Sequence, residues 1–178
     1  MTPEAAAYER HKNLKLAANE VGIKWQTLYC RLKNQGVPIT GDKLRYGSDR
    51  DKLSALAESI FRKYVPSAVS MNAIKWQHKH DFEINGFKVD VKCSLKKYRQ
   101  KKCKAQSWAF SIKKQTLSCD FICCFCFGNN KEVERALLIP SEFFKGLQTI
   151  SVSVSGGSKW LDYSINISDL EDFFFSLT

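Results

Sequence analysis

The sequence predicts a mixed α/β fold, with a small all-helical N-terminal unit followed by a mixed sheet flanked by helices. Three observations predict it. Asn85-Gly86 separates two apolar-alternating runs, Asp81–Ile84 and Phe87–Cys93, which is the strongest short-range signal for a hairpin with a two-residue turn. Asp120-Phe-Ile-Cys-Cys-Phe-Cys-Phe127 is almost continuously apolar, as a strand buried on both faces must be. Apolar residues also return at helical spacing over residues 14–32 and 53–64.

Composition narrows the class. The 178 residues suit one medium domain, or one small and one medium domain, and a hydrophobic fraction of 44% can fill a core. A net charge of +10 and a pI near 9.3 suggest a polyanionic partner. No run of about 18 apolar residues is present, so no membrane partner is expected. The first ten residues lack a basic stretch followed by an apolar one, so no secretory leader is expected. Seven cysteines, an odd number with four of them between positions 119 and 126, argue for reduced thiols and a cytoplasmic setting. Cys119-x3-Cys123-Cys124-x-Cys126 has a metal-like density. In a strand, however, Cys124 and Cys126 share a face and Cys123 points away. Buried apolar thiols are therefore the expectation.

Taken in order, Leu14, Ala17, Ala18 and Val21 form one helical stripe, Gly22 interrupts it, and Leu28 and Leu32 continue a second. This run resembles a helix-turn-helix, whose second helix enters the DNA major groove. Its outward residues would be Lys24, Gln26, Thr27, Arg31 and Lys33. Gln and Arg suit base edges; Lys and Thr suit phosphates. An ordinary helical hairpin is the other reading. Residues 39–50 read as a basic linker with two glycines, which sets domain boundaries at 1–40, 41–50 and 51–178. A helix then runs from Asp49 or Asp51 to Tyr64, with Leu53, Leu56, Ala57, Ile60, Phe61 and Tyr64 on its core face and Glu58 just off it.

Ser70–Gln77 is expected as the first strand, with His78, Lys79 and His80 leading to Asp81; one of the two histidines makes a phosphate or general polar contact, or else both are exposed loop residues. The Asn-Gly turn then fixes the hairpin register: Ile84 faces Phe87, Glu83 faces Lys88, Phe82 faces Val89 and Asp81 faces Asp90. One face carries Phe82, Ile84, Phe87, Val89, Val91 and Cys93; the other carries Asp81, Glu83, Lys88, Asp90 and Lys92. Like charges directly opposed destabilise a sheet. A divalent cation between Asp81 and Asp90 would turn that repulsion to use, and Lys92 on the same face could offset charge on a phosphate. A merely solvated charged face is the alternative.

Beyond the hairpin, Lys88–Lys104 holds eight Lys/Arg and one acid, Asp90. Lys96, Lys97, Arg99, Lys101 and Lys102 are the candidates to grip phosphates there, with Tyr98 and Trp108 as candidate stacking residues. Strands are expected at 107–112, 120–127, 134–140 and 149–155, a short helix or turn at 113–118, a turn at 128–131 and a capped helical turn at 141–145. A terminal amphipathic helix over 168–177 would bury Leu170, Phe173, Phe174 and Leu177.

Asp81, followed nine residues later by Asp90-Val91-Lys92, resembles the split signature of the PD-(D/E)XK nuclease superfamily, with His80 where that family often has proline. The fold-level likeness covers roughly residues 50–140. It implies a restriction-endonuclease-like core, Mg²⁺ or Mn²⁺ held by Asp81, Asp90 and the Val91 carbonyl, and Lys92 as the catalytic cation. In resolvase-like members a glutamate on the preceding helix joins the metal, which points to Glu58. The implied function is metal-dependent hydrolysis of double-stranded DNA, in a family whose members often act as homodimers. Two alternatives stay open: a DNA-binding regulator with an inactive nuclease-like domain, and a basic RNA-binding or RNA-processing protein.

Overall fold

The structure is a computed structural model that describes residues 1–40, 42–74, 78–98, 105–112 and 118–177. It is mixed α/β, and its chain forms two compact units: Met1–Ala55 with Met71–His78, and Leu56–Ser70 with Lys79–Thr178.

In the N-terminal unit, α1 (Pro3–His11) was not expected from the sequence, although its signals are present. Thr2 Oγ1 accepts from the Ala5 amide at 3.3 Å, and Pro3 occupies the first turn, where a missing N–H costs nothing. The predicted pair follows as α2 (Leu14–Glu20) and α3 (Trp25–Asn34). Asn13 Oδ1 caps α2 by accepting from the Lys15 and Leu16 amides. Gly22 turns the chain at φ 69°, a left-handed value that a side chain resists. Ala7, Tyr8, Ala17, Ala18, Leu28 and Leu32 close a small core. The segment expected as linker contains a further helical turn, α4 (Lys43–Tyr46), because Asp42 Oδ1 accepts from the Arg45 amide at 2.9 Å and nucleates it.

The long helix α5 (Asp49–Tyr64) matches its predicted span. Ser48 and Asp51 start it reciprocally: the Asp51 amide donates to Ser48 Oγ, and the Ser48 amide and hydroxyl donate to Asp51 Oδ2. Leu53, Ala57 and Phe61 are buried, but Tyr64 is exposed.

The expected strand at 70–77 is a correction. Only β1 (Val69–Ser70) is extended, and α6 (Met71–Ile74) follows it; residues 75–77 lie outside those described. The reason lies in the partner: β2 (Phe82–Ile84) is three residues long and pairs with β1 through Glu83 and Phe82 alone.

The hairpin of β2 and β3 (Phe87–Leu95) has the predicted pairs Phe82–Val89, Glu83–Lys88 and Ile84–Phe87. Asn85 and Gly86 both have positive φ, 48° and 83°, as a type I′ turn requires. Beyond it lie β4 (Lys97–Tyr98), β5 (Gln106–Ser111), β6 (Phe121–Phe127), β7 (Val133–Pro140), β8 (Thr149–Ser153) and β9 (Ser164–Ile165). Among the described residues one mixed sheet has the order β1-β2-β3-β6-β7-β9, and a second, antiparallel sheet has the order β4-β5-β8. β6 runs parallel to β3 and antiparallel to β7, so it is central and buried on both faces. The predicted turn at 141–145 is a 3₁₀ turn over Ser141–Phe144, where the Ser141 hydroxyl donates to the Cys119 carbonyl rather than capping the turn.

The two sheets pack face to face over Trp108, Phe110, Ile122, Cys124, Leu137, Ile139, Ile150 and Val152. Trp108 is therefore a core residue, not a stacking platform; its indole N–H donates to the Phe127 carbonyl at 2.9 Å. Phe61 of α5 stacks on Phe82 with ring centroids 4.9 Å apart. The terminal helix α7 (Leu170–Ser176) buries Leu170 and Phe174, and Phe174 meets Phe121 edge-on; Leu177 falls beyond the helix and is exposed. Among the described residues no helix is long and apolar enough to cross a membrane.

Candidate functional site

On the charged face of the hairpin Asp90 is buried, Asp81, Glu83 and Lys92 are half-buried, and Lys88 is exposed. The parallel register sets Asp90, Lys92 and Ser94 of β3 beside Ile122, Cys124 and Cys126 of β6, the residues against which the second sheet packs. Ser94 Oγ accepts from the Ala109 amide at 3.0 Å and ties β3 directly to β5. Asp90, the fourth residue of β3, is only 3% exposed.

A buried carboxylate needs a reason. Lys92 Nζ is ion-paired with Asp90 Oδ2, and among the described residues that oxygen has no other partner. Burial, more than anything else, pushes the Asp90 carboxyl up to about 7; nearby Asp81 adds to this, Lys92 opposes it, and Glu58 contributes a further, smaller push. On Lys92 burial works against the charge, but the Asp90 and Asp81 carboxylates outweigh it, and the ammonium is held above its usual range. Lys92 is therefore held as a cation.

Asp81 does not stand opposite Asp90 as a paired strand residue. Pairing ends at Phe82, and Asp81 lies in the bend before it, its amide donating to the Val89 carbonyl at 3.1 Å. Its Oδ2 accepts from the Val91 amide at 2.8 Å. The carboxylate thus takes the place of the next ladder carbonyl and remains close enough to Asp90 to raise its pKa. Val91 itself is buried at the hinge of this arrangement. Glu58, half-buried on α5, is felt at Asp90 electrostatically.

The site's surroundings were less legible. His80 is not an exposed loop residue: it is 4% exposed, and its Nε2 makes a polar contact with Glu83 Oε1 at 2.8 Å. Glu83 three residues on is the local signal for that pair. His78 falls in the N-terminal unit. The thiols of Cys119, Cys123, Cys124 and Cys126 are buried, and desolvation pushes each one up, Cys119 and Cys126 to about 12. They are buried among apolar side chains, as expected.

Of the basic run, Lys96 is engaged with Glu134 at 2.6 Å, while Lys97 and Tyr98 are exposed on β4. Lys96 follows β3, its amide donates to the Phe127 carbonyl at the end of β6, and its ammonium reaches Glu134 of β7. Arg99, Lys101 and Lys102 lie outside the described residues.

The N-cap residue Lys24 and, on α3, Gln26, Thr27, Arg31 and Lys33 are all exposed, while Leu28 and Leu32 point inward. Arg31 Nη1 also pairs with Glu4 Oε1 of α1 at 2.7 Å. Cys30 shares this exposed face, four residues on from Gln26, and was not singled out from sequence, where small thiols read as core.

A divalent metal suits this donor set. Asp81, Asp90 and Glu58 are like charges that raise one another's cost, and Asp90 Oδ2 is buried with a single cationic neighbour. Among the described residues no three His, Cys, Asp or Glu side chains form a ready-made cage. Mg²⁺ is commonly held by only one or two protein carboxylates, with water and phosphate oxygens completing its shell. Comparison with protein-family models and with curated proteins gives no match for this chain.

Proposed function

We propose that the protein is a Mg²⁺- or Mn²⁺-dependent DNA endonuclease with a restriction-endonuclease-like core, targeted by the helix-turn-helix of its N-terminal unit. The observation that carries this reading is the buried Asp90 carboxylate, paired with the Lys92 ammonium and neighboured by Asp81, at the start of a strand pinned through the Val91 amide.

The metal would be held by Asp81 and Asp90, with Glu58 and the Val91 carbonyl as the further donors, and when bound it supplies Lewis-acid neutralisation of phosphate charge. The protein's own groups do the rest. The Asp81–Val91 hydrogen bond fixes the backbone between the second acid and the lysine, so both side chains are aimed before substrate arrives. Lys92, held protonated by its carboxylate neighbours, keeps a positive charge beside the scissile phosphate as negative charge develops there. The second sheet excludes water from one side of Asp90 and strengthens these interactions. The exposed face of α3 supplies duplex contacts.

The test is nicking of supercoiled plasmid DNA with Mg²⁺, against EDTA and against Asp90→Ala and Lys92→Ala. Metal-dependent cleavage should fall by about 10²–10³-fold in Lys92→Ala and vanish in Asp90→Ala. Equal background cleavage by wild type and both variants would leave a DNA-binding regulator. Preference for RNA over duplex DNA at fixed salt would favour the RNA-binding reading.

A further inference from the structure

The N-terminal unit has a cleft of about 510 Å³ that the hydrolytic site does not use, lined by residues of α1 to α4. Its walls combine two kinds of group. Trp25, the first residue of α3, and Tyr46, the last of α4, line it and are 43% and 38% exposed, although neither type is normally left bare without a partner. Leu14 and Ile39 extend the apolar surface. Around it stand Lys12, Lys15 and Lys43. The cleft's one carboxylate, Asp42, is committed to capping α4 through the Arg45 amide. The Arg45 guanidinium lies over the Tyr46 ring at 5.2 Å and adds a fourth cation near this wall. Lys12 has a carboxylate neighbour in Glu9 at 2.6 Å.

α4 buries none of its own four side chains. Tyr46 keeps part of its ring exposed at the cleft, and Lys43, which is also near the Asp51 carboxylate, lines it. An apolar wall carrying two aromatic rings suits a planar ring system, and a rim of ammonium groups suits an anion. A nucleotide carries both in one moiety, a base with a π-face and phosphates on its sugar. A cleft of this size is within the range that takes such a ligand. Trp25 also adjoins Lys24 and Gln26 at the start of the nominated reading helix, and a second hollow lined by Lys15, Gly22 and Gln26 shares Trp25 as its wall.

We infer that this cleft is a nucleotide-binding site, which stacks one unpaired base on Trp25 and Tyr46 and holds its phosphate on Lys12, Lys15 and Lys43. The site belongs to the N-terminal unit and depends on no step of phosphodiester hydrolysis. Its ligand is a nucleoside phosphate, either free or as an unpaired nucleotide within a strand.

The experiment is calorimetric titration of the full-length chain, without divalent metal and at one stated salt concentration, with AMP and separately with a short oligothymidylate. Saturable binding is expected for at least one of them. Trp25→Ala and Tyr46→Ala should each weaken it about tenfold, the loss expected for one stacked base. Trp25→Phe should retain most of the affinity, and Lys15→Gln with Lys43→Gln should flatten its salt dependence. Circular dichroism of each variant checks that the unit is folded; should Trp25→Ala fail that check, Trp25→Phe and Tyr46→Ala decide. AMP binding as tight as the oligomer identifies a free nucleotide, and binding of the oligomer alone identifies a strand; both support the site. Absence of binding by either probe, or binding unchanged in the folded alanine variants, overturns it.

Discussion

The carboxylate of Asp81 reaches across the hairpin end and accepts the Val91 amide at 2.8 Å. One side chain thereby does two things. It completes the ladder where β2 runs out, and it brings a second negative charge to Asp90. Asp81→Ala should leave the buried Val91 amide unsatisfied and cost about 1–3 kcal/mol. Asp81→Asn retains an acceptor, so it should recover most of that loss while removing the charge. Since the charge of Asp81 raises Asp90, the Asp90 carboxyl should titrate lower in Asp81→Asn than in the wild type. Urea unfolding of both variants, with carbonyl-carbon NMR titration of Asp90 in the second, checks the two effects separately. Equal stability of all three proteins would show that the hydrogen bond contributes nothing.

Asp90 also makes stability fall as pH rises. Its carboxyl titrates near 3.8 in an unfolded chain and at about 7 in the fold. Between those values the folded protein binds the extra proton, so unfolding free energy decreases with each step up in pH. The effect is complete above about 7, and its ceiling is about 4 kcal/mol for a shift of this size. Metal-free protein should therefore resist urea better at pH 5 than at pH 7.5, by more than Asp90→Asn does over the same interval. An identical pH slope in the variant would place the titration elsewhere.

How much of this could be read from the sequence depended on the range of the forces involved. Local chemistry was legible. Asn85-Gly86 dictates its own turn, and with it the alignment of Phe82 on Val89; the run 120–127 could only be a central strand. The caps at Thr2 and Asp42 were equally local, and they went unread because α1 and α4 are short and weakly patterned. What alternation cannot report is which face another layer will cover. Charged Asp90 and Lys92 read as a solvated or metal-lined face, yet a sheet formed by β5 and β8, distant in sequence, buries one side of them. The same contact turns Trp108 into core. Val69–Ser70 illustrates the reverse: a segment patterned as a strand stops early because its partner β2 has no more edge to offer.

The cysteines should separate sharply in reactivity. Cys30 is exposed on α3, whereas Cys123 and Cys124 are wholly buried and their thiols are pushed up by desolvation. A thiolate is the reacting species, so iodoacetamide on native protein should modify Cys30 long before either β6 residue. Peptide mass spectrometry over a time course measures the ratio. Labelling in guanidinium should erase the difference. Because Cys30 shares its face with Gln26, the singly modified protein should also bind duplex DNA more weakly, and Cys30→Ala should be immune to that inhibition.

The exposed residues of α3 should divide by what they touch. Lys33 lies in the last turn with no base-reading geometry of its own, and its ammonium suits phosphate. Lys33→Ala should weaken binding about equally across duplex sequences and lower the salt slope of log K by about 1. Gln26 stands in the first turn of the helix, the end that meets base edges when such a helix lies in the major groove. Gln26→Ala should leave the salt slope alone and relax preference at one position by about 1–3 kcal/mol. Selection from a randomised duplex pool, followed by salt titration of the winning sequence for each variant, distinguishes the two. Identical losses of slope and preference in both variants would mean that α3 lies along the backbone and reads nothing.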